Sequence, residues 1–343
     1  MDKRQFKLSL LGIAKTIGLF KLARQLTAGR VRILAYHGAA ISDEAEFRGG
    51  LFMTPATFAN RLAFLARHGY PILSLDDALA KLDAGYLPKC ATVITIDDGW
   101  LGTRTVMAPA LAKHGFPATL YLSSYYMQTQ TQVFNVAAAY VLWKSRLPML
   151  DFQTVRPELS GKFQLDDPDD CERATTLLHD YANTLGSAAA RQSLLEDLCT
   201  VLDVNFTAIV CRRLIAYMSI EEAEELAQFG IDVQLHTHRH CFSGESMHAV
   251  RLEIEDNRRA IKAAATRPLV HFCYPSGEYE PEQPPWLKEF GIASATTTQA
   301  RFNRRGGNVM ELGRFLDAEQ IEELEFDAEM SGFYELLRAL RIR

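Results

Sequence analysis

Ala91-Thr92-Val93-Ile94-Thr95-Ile96-Asp97-Asp98-Gly99 is an apolar run of strand length that ends on two adjacent carboxylates and a glycine. It is rich in β-branched residues and lacks an alternating polar face, the pattern of a strand buried on both sides in a parallel sheet. A second segment repeats the arrangement. Ile231-Asp232-Val233-Gln234-Leu235 leads into His236-Thr237-His238-Arg239-His240, so two acids and three imidazoles are expected where parallel strands end. α/β barrels keep their chemistry at that end.

One carboxylate and two imidazoles suit a divalent metal. Zinc takes nitrogen and oxygen ligands at about 2.0–2.2 Å, and a catalytic zinc uses three protein ligands and keeps one position for water. The second carboxylate is then free to act as a base while that water attacks a carbonyl. The implied reaction is hydrolysis of an amide or ester. Alone, Asp-Asp-Gly suits a solvated turn and His-x-His is commonplace; their joint occurrence in this order, each after a buried strand, points to one site.

At these residues the chain resembles the polysaccharide deacetylases with the NodB homology domain, carbohydrate esterase family 4, whose signature is Thr-Phe-Asp-Asp-Gly followed by His-Ser/Thr-x-x-His. Ile96 replaces the aromatic, and His236 to His240 fits in full. The resemblance implies that Asp97 is the general base and that Asp98, His236 and His240 bind one divalent ion, zinc. It also implies that Thr237 shapes the ligand loop and that His238 stands by. It runs from about Val31 to Asp317. Ile33-Leu34-Ala35-Tyr36-His37-Gly38 resembles the opening strand of one branch, and Phe272-Cys273-Tyr274-Pro275-Ser276-Gly277 resembles the third motif, usually Arg-Pro-Pro-Tyr-Gly. That motif implies a substrate and oxyanion role for Tyr274, Pro275 and Ser276, with the Ser276 N–H facing the developing oxyanion. Such a donor is worth about 3 kcal/mol in the transition state.

Two departures from the family pattern need replacements. Cys273 stands where many members have the arginine that holds the catalytic aspartate, and no histidine follows His271, so the late Leu-x-x-His acid is missing. The expectation is that Arg314, in Glu311-Leu312-Gly313-Arg314-Phe315, supplies the guanidinium and His37 the acid. The implied activity is removal of N-acetyl groups from an amino sugar in a polysaccharide or lipid-linked glycan precursor. The alternatives are another metal-dependent amide hydrolase, or a catalytically silent carbohydrate-binding member of the same fold. An amidohydrolase usually places His-x-His ahead of its aspartate, whereas Asp97-Asp98 comes first here.

The fold expected is α/β, a distorted (β/α) barrel of the NodB type with mostly parallel strands. It comprises a basic amphipathic helix over 1–30, a barrel over 31–317 interrupted by a helical insertion over 125–217, and a helical tail over 318–343. The insertion falls between two strand ends on the active-site side and is expected to cap the cleft, with Phe134, Tyr140 and Trp143 as candidate sugar contacts. His68, His114, His179 and His248 read as surface or packing residues, and Cys241 and Cys273 as small buried thiols.

With 343 residues and net charge −5, the chain has material for a large core, and no basic stripe or motif for nucleic acid. Its six cysteines form no Cys-x-x-Cys and no dense framework; with no export signal read at the start, they are expected to be reduced thiols of a cytoplasmic protein. The apolar stretch Leu8 to Ala14 is cut by Lys15, unlike a signal-peptide core. Lys3, Arg4, Lys7, Lys15, Lys21, Arg24 and Arg30 face Asp2 alone, with Leu8, Leu11, Ile17 and Phe20 among them. Peripheral contact with the inner face of a membrane is the expectation this pattern raises. A helix packed on the barrel with a solvated basic face is the plainer one.

Overall fold

The computed structural model describes residues 3–340 apart from Ser243. Seven strands form its main sheet: β1 (Arg32–Tyr36), β2 (Thr92–Asp98), β3 (Ala118–Leu122), β4 (Ile231–Leu235), β5 (His271–Cys273), β6 (Ser294–Thr296) and β7 (Phe315–Leu316). Their spatial order is β6-β5-β4-β3-β2-β1-β7, and every pairing is parallel. The sheet curls until the segment leading into β7 meets the opposite edge. There Leu312 N–H donates to Ala295 O at 2.8 Å, Thr297 N–H to Leu312 O at 2.8 Å, and Arg314 N–H to Gln299 O at 3.0 Å. This is the distorted barrel expected, closed by a single irregular stretch.

β1, β2 and β3 are buried at every position, as their unbroken apolar runs require. Ile33, Val93 and Tyr121 fill the interior with Val31 and Leu312, while Leu34, Ile94, Ile96 and Leu120 pack outward under the helices. Helix boundaries follow local capping. Thr54 accepts the Thr57 N–H ahead of Pro55–Arg67, and Ser74 accepts the Asp77 N–H ahead of Leu75–Ala84, which stops at left-handed Gly85.

Between β3 and β4 the chain leaves the barrel. Helices Phe134–Lys144, Pro168–Thr184 and Ala188–Val201 pack a second core around Ala137, Val141, Leu178, Leu194 and Leu198. The sequence predicts an all-helical insertion, but Met149–Asp151 pairs antiparallel with Lys162–Gln164. Each strand of that hairpin has three residues and one buried side chain, Leu150 or Phe163, too short to show a period of two in sequence.

Lys3–Thr16 and Leu19–Leu26 form a helical pair, joined at left-handed Gly18, against the C-terminal helices Glu323–Met330 and Phe333–Ala339. Leu11, Ala14 and Phe20 make the contact with Ala328 and Phe333. Arg4, Lys7 and Lys15 pair with Glu322, Glu325 and Asp327 at 2.9, 2.6 and 2.6 Å. Met1, Asp2 and the last three residues of the tail lie outside the described residues. No described helix is long and apolar enough to cross a membrane.

Candidate active site and its metal-ligand set

The register of the central strands brings the motifs together. Asp97 and Asp98 lie beside Tyr121 and Leu122, Leu122 beside Leu235, and Leu235 beside Phe272. Asp97-Asp98, His236 and Cys273 therefore share one rim. Alternation along β2 sends Asp97 inward with Thr95 and Val93. Asp98 leaves the extended conformation at φ 74°, and Gly99 follows at φ 112°, so the second carboxylate turns onto the rim. A side chain at Gly99 would meet Leu122 Cδ1 at 2.2 Å.

Arg314 grips Asp97 from the closing segment. Its Nη1 and Nη2 donate to Asp97 Oδ1 and Oδ2 at 2.7 and 2.8 Å, the two-pronged geometry that a guanidinium offers a carboxylate. The same side chain donates to Thr297 O at 2.9 Å, Thr95 Oγ1 at 3.1 Å and Cys273 Sγ at 3.1 Å. Both residues are buried. Burial alone would push the Asp97 carboxyl up, but the adjoining Arg314 charge outweighs it and holds the group below the usual carboxylate range.

Asp98, His236 and His240 converge on one point. Asp98 Oδ1 lies 3.3 Å from His236 Nε2 and 3.5 Å from His240 Nε2. These distances are long for charge-assisted hydrogen bonds, yet ligand atoms about 2.0–2.1 Å from a tetrahedral zinc stand about 3.3–3.4 Å apart. The tautomer agrees. His236 Nδ1–H donates to Cys273 O at 2.8 Å, so Nε2 is the nitrogen that faces Asp98 and is placed to bind an ion. Trp100 Nε1–H donates to Asp98 Oδ2 at 2.8 Å and fixes the carboxylate plane. Burial raises the Asp98 carboxyl, but His236, and then His240 and His37, more than offset this and hold it well below its ordinary value. These donors fit a divalent ion. Asp97, His236 and Cys273 also lie close enough together to hold one, but Arg314 occupies both Asp97 oxygens and the Cys273 sulfur.

A framework that the motifs did not reveal holds the histidine loop. Asn257 Oδ1 accepts the His236 N–H at 3.0 Å, while its Nδ2 donates to Leu122 O at 2.8 Å and Ser124 Oγ at 3.0 Å. Ser123 Oγ donates to His236 O at 2.8 Å. Glu253 accepts from the Arg239 N–H and guanidinium at 2.7 and 2.6 Å. Thr237 and His240 keep left-handed φ values of 63° and 61°, a cost of about 1–3 kcal/mol each that surrounding contacts must sustain. A sequence signal for Asn257 exists: it is the polar member of the stripe Val250, Ile254, Asn257 and Ile261, buried throughout.

Above the set lies a cleft of about 410 Å³ lined by His37, Asp97, Asp98, His236, His240, Tyr274, Ser276 and Arg314. Ser276 sits at φ 57° in the turn after β5. Its neighbours serve that turn. Tyr274 lines the cleft and donates its hydroxyl to Met310 O at 2.9 Å, and Pro275 is buried outside the cleft lining. The insertion does reach the cleft, with Val133, Asn135, Val136 and His179. The expected aromatics do not: Phe134 and Tyr140 are buried, Tyr140 bonds Asp43, and Trp143 packs on Phe47 and Tyr140. The apolar face of their helix is used by the insertion's own core. His179, read as a surface or packing residue, lines the cleft, and Cys241, read as a buried thiol, is exposed there. Cys273 is buried against Arg314, and His238 bonds Ser124 Oγ at 2.8 Å.

Residues 190–295 match the family model for polysaccharide deacetylase. No curated protein sequence matches the chain. Among solved structures, the chain is similar to the Streptococcus pyogenes deacetylase PplD in complex with acetate. The TM-score is 0.58 at 17% identity, over 89% of this chain and 99% of that one. IcaB from Ammonifex degensii superposes with a TM-score of 0.54 at 16% identity, over 88% and 97%. The de-N-acetylase from Aggregatibacter actinomycetemcomitans gives 0.53 at 13%, over 88% and 99%. Over residues 190–295 the chain thus matches the polysaccharide deacetylase family, and its fold is that of these NodB-type deacetylase structures.

Proposed function

We propose that the protein is a metal-dependent de-N-acetylase acting on an amino sugar in a polysaccharide or lipid-linked glycan precursor. The observation that carries this reading is the buried Asp97 carboxylate, held ionised by Arg314 beside three donors spaced for one ion. A divalent ion held by Asp98, His236 and His240, zinc by the nature of the donors, would supply a polarised water and Lewis acidity at the acetyl carbonyl.

Asp97 accepts the proton of the attacking water, since its ionised form is the one Arg314 favours. The Ser276 N–H, presented by the turn after β5, donates to the oxyanion. His37 gives a proton to the departing nitrogen. An amine leaves only when protonated, so an acid in the cleft favours an amide over an ester as substrate. One of the similar folds, that of the Aggregatibacter protein, belongs to a de-N-acetylase, which supports the same preference. A silent binder would need neither a paired base nor an acid.

The test is acetate release from N-acetylglucosamine oligomers and from a lipid-linked N-acetylated sugar by the zinc-loaded protein. Release that stops on chelation and resumes on adding zinc is expected. An inert zinc-loaded protein that still binds these glycans would favour the silent reading.

A further inference from the structure

The helical pair ahead of the barrel turns an apolar face to solvent. Phe6, Leu10 and Ile13 on one side of the first helix, and Ile17 just past its end, recur at intervals of four, three and four residues, and each is between 51% and 66% exposed. Leu19, Leu22 and Leu26 repeat the pattern on the second. Seven of the sixteen large exposed apolar side chains among the described residues thus fall in this one segment. Neither the barrel nor the catalytic cleft uses them. The inner face, Leu11, Ala14, Phe20 and Ala23, is already buried, so the outward stripe is a second apolar face.

Charge selects its occupant. Residues 3–30 contain seven lysines and arginines and no acid, in a chain of net charge −5. Arg4, Lys7, Lys15 and Arg30 pair with carboxylates of the C-terminal region, which leaves Lys3 and Lys21 without an acidic partner among the described residues. A second copy docked by this face about a two-fold axis would bring up the same cations and no acid to answer them. An anionic lipid surface takes both features at once: the apolar side chains enter the acyl boundary and the lysines reach the headgroups.

We propose that residues 3–26 dock the protein peripherally on an anionic bilayer, the apolar stripe supplying most of the affinity and Lys3 and Lys21 the preference for negative headgroups. The test is cosedimentation of the full chain with vesicles of phosphatidylcholine alone or mixed with phosphatidylglycerol, beside analytical ultracentrifugation without lipid. Wild type should pellet with the mixed vesicles. Ile13→Ser/Ile17→Ser/Leu22→Ser should lower partitioning at least tenfold with its circular dichroism unchanged, and Lys21→Ala should lower it roughly fivefold on anionic vesicles alone. As a readout that does not depend on losing binding, Ile13→Trp should shift its emission to the blue on mixed vesicles. The proposal is overturned if wild type stays in the supernatant with both vesicles or if the triple variant pellets equally. It is also overturned if the Ile13→Trp emission is unmoved, or if wild type instead self-associates through this face and the triple variant is monomeric.

Discussion

Arg314 and Asp97 meet as fork and carboxylate at 2.7 and 2.8 Å, although 217 residues separate them. The pair stands out of water at the junction where the barrel closes, so its charge balance governs both a reacting group and a structural seam. Removing one partner of such a pair leaves an uncompensated buried charge.

Arg314→Met should therefore raise the Asp97 pKa, because burial then acts unopposed. The base works ionised, so the acid limb of kcat/KM should move to higher pH. Stability should fall by about 3–5 kcal/mol. In wild type the sign is the reverse. A carboxyl lowered by folding contributes stability above its unfolded value of about 3.9, and loses it as pH falls through the folded value. Arg314→Lys, which keeps charge but not the fork, should shift the limb less. pH-rate profiles and denaturant titrations check both.

Trp100→Phe should weaken metal binding about 10–100-fold, the usual loss when a partner of a metal-ligating group is removed. Its indole N–H is the donor that fixes Asp98 Oδ2, and Phe preserves much of the packing against Phe52 and Tyr217. Competition with a chromogenic chelator measures the affinity.

His37→Ala should lower kcat by about 10²–10⁴-fold, the range for loss of a positioned acid. The metal content should be unchanged, because His37 is outside the ligand set. Unchanged turnover on an amide substrate would take the acid role from His37.

Gly102→Ala should destabilise the rim from which His37 projects. A Cβ there would stand 1.8 Å from the Ala39 carbonyl oxygen, and backbone cannot swing aside as a side chain can. A cost of about 1–3 kcal/mol or more follows, read as a lowered Tm.

The strand ends were legible because β2 and β4 are uninterrupted apolar runs closed by polar residues, and burial on both faces leaves such runs one role in a parallel sheet. Arg314 carries no such signal: it is expected at the site because the arginine of the family pattern is missing, and it reaches the rim because Leu312, two residues earlier, pairs parallel with Thr296 at the end of β6. The cap was harder to read. Which face of a helix meets the cleft depends on how the insertion folds back, and Phe134, Tyr140 and His179 carry no sign of that in their local sequence. Trp100 escaped notice because it acts on Asp98 through one hydrogen bond, which leaves no periodicity, whereas Asn257 shows as the polar member of a buried helix stripe but nothing local names the partners its amide reaches. The N-terminal bases read as a face for a membrane or for solvent, yet several pair with acids more than 300 residues away, and an apolar stripe on the same helices stays exposed.

The division of labour between the two adjacent aspartates is tested most directly by Asp97→Asn, with metal content and turnover measured on the same purified sample. The prediction is one equivalent of zinc, as in wild type, with acetate release lowered by roughly a hundredfold or more. Wild-type turnover, or loss of the metal along with the activity, would contradict a base standing apart from the Asp98, His236 and His240 ligands.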